Sequence, residues 1–290
     1  MSRPGRVLSL SGPVKWPAFV LCTCRALGGD PTVAVGAAAA VEFLIASADV
    51  VDDLVDDEWE GGRLSWARAQ NASHGLTWLA HLCVNELAGT LGPERACLVG
   101  TLMSRRALDS CSGEDLDLIT EMDDSVTAEY AEKISDRKSG SLVALACQVG
   151  GALATDDGEV LSMVGEIGRR AGVAAQLLND IGGVMAGNDL RRRKKTLPIA
   201  YALRCAREEG LQDVLTLHRG VGTSNERDAQ RLAEIIRDLG ALHYALVVAE
   251  AHRQEALRLV RDLIKLTGRE EAGEMRRLVP RVWATRGRLA

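Results

Sequence analysis

The sequence predicts an all-α protein, a single-domain bundle of about ten to twelve helices around a central cavity, and three observations carry most of that prediction. Hydrophobic residues make up 47% of the chain but aromatics only 3%. The rest is rich in Ala, Leu, Arg and Glu, a mixture that favours helix and disfavours sheet. Apolar residues recur at helical spacing, and no stretch sustains the period of two that a strand needs. Gly and Pro fall in small clusters that stop helices, and no internal repeat or low-complexity linker divides the 290 residues.

Taken in order, residues 1–12 form a loose entry containing Pro4, Gly5 and Gly12. Pro17 suits the first turn of a helix to Ala26, which Gly28-Gly29-Asp30-Pro31 stops. The next helix is expected from Pro31 or Thr32 to Trp59, with small residues at Gly36–Ala40 for close packing and Gly61-Gly62 at its end. Further helices are expected over 65–91, over 94–110 with a stop at Ser112-Gly113, and over 115–135. Ser139-Gly140 interrupts the chain before an apolar run at 142–154. A helix over 157–183 then leads to a glycine-rich loop. Helices over 197–207, 226–239 and 242–266 and a short Arg-rich helix complete the chain.

The formal net charge is −5, so the chain lacks the electrostatic footprint of a nucleic-acid binder. Arg runs at 191–195 and 276–288 are local features. Seven cysteines, an odd number without metal-type spacing, fit free thiols in a reducing compartment. Cys22 and Cys24, His74 and His81, and Trp16, Trp59, Trp66 and Trp78 are read as packing residues. No secretory leader is recognised. The longest apolar stretch, Val33 to Val51, is interrupted by Glu42 and Asp49, which argues against a membrane span. A cytoplasmic, soluble protein is expected.

Chemistry concentrates in Asp49-Val-Val-Asp52-Asp53-Leu-Val-Asp56-Asp57-Glu58, six acids in ten positions beside an apolar segment. On a helix Asp49, Asp52, Asp53 and Asp56 share one side, and Asp52 and Asp56 stand one turn apart. Such crowding calls for a cation, and Mg²⁺ with a phosphorylated substrate suits a few carboxylates. A second polar group, Gln176, Asn179 and Asp180, lies in the helix over 157–183 and precedes the basic loop Asp189 to Pro198. There an amide and a carboxylate beside cations suggest a metal ligand next to an anion clamp. Arg137 and Lys138 sit at the helix break.

In this order and spacing the motifs resemble the trans-isoprenyl diphosphate synthase (polyprenyl synthetase) superfamily. Asp52, Asp53 and Asp56 match its first Asp-rich motif. Gly113-Glu-Asp-Leu-Asp-Leu118 and Lys138-Ser-Gly-Ser-Leu142 resemble its central helix and lysine motif. Gln176, Asn179 and Asp180 stand at its second Asp-rich motif, and Lys194 to Pro198 at its lysine-Thr-Leu-Pro segment. The resemblance implies two facing acidic walls, three Mg²⁺ ions and a homodimer. It also implies roles. Asp52, Asp53 and Asp56 are catalytic. Asp52, Asp56, Asn179 and Asp180 are metal ligands, and Lys138, Lys194, Arg137 and Gln176 bind the diphosphate of an allylic prenyl substrate.

The chain departs from chain-elongating members in three places. Gly12-Pro-Val-Lys-Trp16-Pro17 and Gly61-Gly62 stand where those members carry basic residues for isopentenyl diphosphate, and Gly183 stands at the last acid of the second motif. Ser47 and Ala48, one turn before the first motif, leave pocket depth for a long prenyl chain. The expectation is therefore a terpene synthase-like enzyme that ionises a C15 or C20 diphosphate and cyclises it or eliminates diphosphate. The alternatives are elongation with isopentenyl diphosphate, prenylation of a peptide, and a non-catalytic regulatory subunit.

Overall fold

The computed structural model describes residues 16–56, 59, 62–221 and 226–281. Among them it contains twelve α-helices and no strand. These are α1 (Trp16–Ala26), α2 (Val35–Val55), α3 (Arg63–Leu91), α4 (Pro93–Thr120), α5 (Ala128–Ser135), α6 (Ser141–Ala152) and α7 (Gly158–Met185). They continue with α8 (Asn188–Arg191), α9 (Leu197–Glu208), α10 (Gln212–Val221), α11 (Glu226–Asp238) and α12 (Ala241–Thr267). A π-helical turn, Asp136–Gly140, joins α5 to α6, and a 3-10 segment, Glu270–Leu278, follows α12.

The chain divides into two compact units. The first holds α1 to α3, α4 as far as Ala107, α6 from Leu142, α7 as far as Gly168, and α12 from Leu257 with the 3-10 segment. Its core includes Phe19 and Val20 of α1, Val41 and Ile45 of α2, and Val143 and Leu145 of α6. A Cβ on Gly168 would lie 2.7 Å from the Val143 carbonyl oxygen, so α6 and α7 approach closely there because the residue is glycine. Between α2 and α3 the Ser47 hydroxyl is buried, 2.9 Å from the Ser73 carbonyl oxygen and 2.8 Å from Thr77 Oγ1. Ser47 is thus committed to joining two helices, which corrects its reading as open pocket depth.

The second unit holds the remainder of α4, α5, the π-helical turn, α7 from Arg169, α8 to α11 and α12 as far as Ala256. Leu177, Ile181 and Val184 of α7 pack with Leu197, Ile199 and Leu203 of α9, Leu232 and Ile236 of α11, and Leu242 of α12.

Four boundaries differ from expectation. First, α2 begins at Val35, because the Asp30 carboxylate accepts from the Thr32 N–H at 2.8 Å and holds a turn ahead of the helix. Second, α2 ends at Val55. Acids in its last turn oppose the negative end of the helix dipole, so extension towards Trp59 is disfavoured. Third, α4 runs through Gly113 to Thr120, where two helices were expected. The break falls at 121–127, where Asp123 accepts from the Ser125 N–H at 2.8 Å and Thr127 caps α5. Gly113 is a close-approach residue instead, since a Cβ there would lie 2.8 Å from Lys138 Cα. Fourth, α10 was not anticipated, although Val214, Leu215, His218 and Val221 are buried at helical spacing along it.

Trp66 and Trp78 are exposed, which corrects their reading as core residues. His74 and His81 also lie at the surface. All seven cysteines are free thiols. Among the described residues no helix is long and apolar enough to cross a membrane.

Candidate functional site

The first unit presents the acidic end of α2. Asp52 and Asp53 lie in its last turn and Asp56 is its C-cap, whose N–H donates to the Asp52 carbonyl at 2.8 Å. All three side chains are half-buried. Asp49, one turn earlier, reaches solvent, yet its carboxyl is pushed up to about 7. Dense protein on its inner side is the main cause, followed by the charges of Asp52, Asp53 and Glu42. Glu42 Oε2 is buried without a hydrogen-bond partner. The helix dipole adds partial negative charge at the same end, so the whole segment attracts a cation. Asp57, Glu58, Gly61 and the residues before Trp16 lie outside the described residues, as do those after Arg281.

The second unit holds an alternating row of acids and lysines. Glu114 and Asp117 lie on α4, and Lys138 Nζ sits 2.6 Å from Glu114 Oε2 and 3.1 Å from Asp117 Oδ2. Lys194 Nζ is 3.7 Å from the same Asp117 oxygen. Two local features deliver Lys138. The missing side chain of Gly113 lets the π-helical turn lie against α4, and the Ser110 hydroxyl donates to the Lys138 carbonyl at 2.9 Å. The turn also points Ser139 at α7, where its hydroxyl lies 2.6 Å from Gln176 Oε1. Gln176 Nε2 in turn donates to Asp180 Oδ1 at 2.8 Å. Asp180 is 4% exposed, and its Oδ2 is buried without a hydrogen-bond partner. Burial above all, then the neighbouring Asp189 charge, pushes its carboxyl up to about 8. Asn179 is half-buried beside it in sequence.

Lys138 and Lys194 therefore meet at Asp117 and Gln176 meets Asp180, on which Lys194 and Asp117 act by charge, whereas Arg137 donates to Ser112 Oγ at 2.8 Å. Asp52, Asp53 and Asp56 belong to the other unit.

Sequence reasoning missed three residues. Asp117, quoted there only within a motif, is the hub of both lysine contacts. Asp189 is buried on α8 and influences Asp180. Lys195, inside a basic run that looks solvent-facing, is 2% exposed. Its ammonium donates to the carbonyls of Glu121 at 2.6 Å and Arg193 at 3.0 Å and lies 3.6 Å from Asp124 Oδ1. It pins the loop after α4 to the loop before α9. Arg193, with φ of 57°, is the single non-glycine residue with positive φ among those described. His218 is buried 3.5 Å from Asp124, and burial above all, helped by Lys195, pushes its imidazole down to about 4.

Comparison with known proteins agrees with these motifs. The family model described as Polyprenyl synthetase matches residues 7–238. A geranylfarnesyl diphosphate synthase of Aeropyrum pernix is 30% identical over 79% of this chain and 76% of its own. A tryptophan prenyltransferase of Bacillus subtilis is 26% identical over 81% of this chain and 77% of its own. The crystal structure of a geranylgeranyl pyrophosphate synthetase from Pyrococcus horikoshii superimposes with a TM-score of 0.79 at 27% identity, covering 93% of this chain and 86% of that one. The chain belongs to the polyprenyl synthetase family.

Proposed function

We propose that this chain is a Mg²⁺-dependent prenyltransferase that elongates an allylic prenyl diphosphate with isopentenyl diphosphate. The observation that carries the reading is the convergence of Lys138 and Lys194 on Asp117 beside Gln176 and Asp180. Cations already held by carboxylates can exchange those partners for a diphosphate accompanied by metal ions. The relatives' names shift the weight from cyclisation towards elongation, since the Aeropyrum and Pyrococcus proteins are both named as prenyl diphosphate synthases.

The donor set fits a hard divalent ion. The buried Oδ2 of Asp180 lacks a partner, and the acids of α2 crowd one another. Among the described residues no three His, Cys, Asp or Glu side chains form a ready cage. That accords with Mg²⁺, which keeps waters and takes substrate phosphate oxygens beside one or two carboxylates. Asp52 and Asp56, with Asp53 alongside, would hold it in one unit, and Asn179 and Asp180 in the other. Bound there, Mg²⁺ supplies the positive charge that makes diphosphate a leaving group. Lys138 and Lys194 donate charge-assisted hydrogen bonds to the diphosphate oxygens, and Gln176 keeps Asp180 oriented. The allylic C–O bond breaks as diphosphate leaves, the acceptor double bond attacks the allylic carbon, and the new cation loses a proton to the departed diphosphate, in surroundings that must exclude water.

One observation favours a second reading. Gly61-Gly62 leaves only Arg63 where an acceptor diphosphate would need a basic pair. A terpene synthase-like enzyme using a single allylic diphosphate would need no such pair. Incubation with Mg²⁺ and geranyl, farnesyl or geranylgeranyl diphosphate, each with and without isopentenyl diphosphate, separates the two. Longer prenyl diphosphates formed only with both substrates support elongation. Hydrocarbon or terpene alcohol from one substrate supports the second reading. No consumption under either condition sinks both and leaves a peptide acceptor or a binding subunit.

A homodimer would find a candidate surface on α3, where Leu64, Trp78 and Leu82 lie exposed on one face. Sedimentation equilibrium should give twice the chain mass, and Trp78→Glu should give monomers. Since α4, α7 and α12 supply residues to both units, we take the chain to fold as one domain.

A further inference from the structure

The reach of Lys194 towards Asp117 depends on the backbone on either side of it. The residue before it, Arg193, is left-handed, a conformation that side-chain-bearing residues rarely adopt. On that side the chain is tied to α8, because the N–H groups of Arg193 and Lys194 donate to the Leu190 and Asp189 carbonyls at 3.0 and 2.9 Å. On the other side α9 does not begin until Leu197, and the hold comes from Lys195. Its ammonium reaches back over Lys194 to the Arg193 carbonyl at 3.0 Å and across to the Glu121 carbonyl at 2.6 Å. Glu121 lies four residues on from Asp117, one turn further along the end of α4. The adjacent lysines therefore grip successive turns. Lys194 faces a carboxylate that a ligand can displace, whereas Lys195 holds backbone carbonyls out of reach of water. Asp124 Oδ1, 3.6 Å from the Lys195 ammonium, supplies the opposing charge.

We propose that Lys195 is a positioning residue for diphosphate binding: without meeting the substrate, it clamps the left-handed Arg193 to the end of α4 and so sets where the Lys194 ammonium stands. This rests on the reading of Lys194 as a diphosphate donor given above and names the residue on which that role depends. A lysine ammonium rides on a flexible four-carbon stem, so its placement has to come from the backbone that carries it. A donor held in place before the ligand arrives also loses less freedom on binding.

The test is calorimetric titration of inorganic pyrophosphate, with Mg²⁺ in the buffer, into the full-length protein and its variants, with circular dichroism recorded on each. Lys194→Met should weaken binding by about 30-fold, the scale of a lost hydrogen bond to a charged group. Lys195→Met should weaken it by about 10-fold, because the donor is misplaced rather than removed. If Lys195 acts only through Lys194, adding Lys195→Met to Lys194→Met should cost less than about 2-fold more. Asp124→Asn gives a test of sign. Loss of an acid strengthens long-range attraction for an anion, yet it loosens the clamp, and the proposal expects binding about 3-fold weaker. Where Lys195→Met does not fold, Asp124→Asn alone and on the Lys194→Met background decides by the same rule. Losses that multiply in the double variant would overturn the proposal, as would wild-type affinity in Lys195→Met. So would unchanged or tighter binding in Asp124→Asn, or loss of fold in both Lys195→Met and Asp124→Asn. Wild-type protein that binds no pyrophosphate, or Lys194→Met that binds it undiminished, would instead defeat the reading of Lys194 as a diphosphate donor, and this inference with it.

Discussion

The acids of α2 and the acids around Asp180 are held in opposite ways. The groups that act on Asp49 are all carboxylates, those of Asp52, Asp53 and Glu42, and the end of the helix adds its own negative charge. The groups that act on Asp180 include two carboxylates and the Lys194 ammonium, and the nearby Asp117 is shared by two lysines. Around Asp49 the named charges all repel its carboxylate, while around Asp180 one lysine opposes two acids.

The most severe way to break the comparison is Asp52→Ala. Turnover should fall by about 10³-fold or more, the loss of roughly 4 kcal/mol of charge stabilisation. Circular dichroism should remain that of a folded protein, since a repelling acid has been removed. Near-normal kcat would end the cation-binding account of α2. Asp117→Asn probes the region around Asp180 and should cost about 3 kcal/mol of stability in urea titration, the scale for breaking a buried ion pair. It should also tighten metal-free pyrophosphate binding, because both lysines lose a competitor. Weaker pyrophosphate binding would mean that Asp117 orients the lysines rather than restraining them.

Acid gives a third measure. The folded protein keeps the His218 ring neutral, beside Lys195, Arg193 and Arg219 and with only the Asp124 charge opposing. The unfolded chain takes up a proton near pH 6.5. This contribution is therefore complete above about pH 6.5 and is lost as pH falls towards about 4. Over that window wild type should lose up to about 3 kcal/mol more than His218→Gln; parallel pH–stability curves would show that the ring takes up its proton equally in the folded and unfolded chain. The smallest effect comes from Gly182→Ala. Nothing lies within 4 Å of a Cβ there. The change should stabilise α7 by about 0.5–1 kcal/mol, read as a small rise in urea midpoint.

How much was legible in the sequence followed from how local each signal was. The helix pattern, the acidic end of α2 and the order of lysine and amide motifs are carried by residues close together in the chain, and each stood out. Gly113 misled because glycine marks both a helix end and a close approach, and only the π-helical turn lying against α4 tells them apart. Lys195 was hidden by its neighbours. In a run of five basic residues nothing local reveals that one is buried and donates to carbonyls of two separate loops.

The π-helical turn at 136–140 has a consequence for how this protein can be switched off. Each residue of a regular helix advances the chain by about 100°, and the wide turn absorbs one surplus residue so that the helix beyond it keeps its facing. Deleting a single residue from this segment would let α5 run straight into α6 as one ordinary helix. Lys138 and Ser139 would then swing away from Asp117 and Gln176 while the apolar faces elsewhere kept their partners. Such a shortened chain should fold and fail to turn over, a ready-made inert twin for measuring background in any assay of the intact protein.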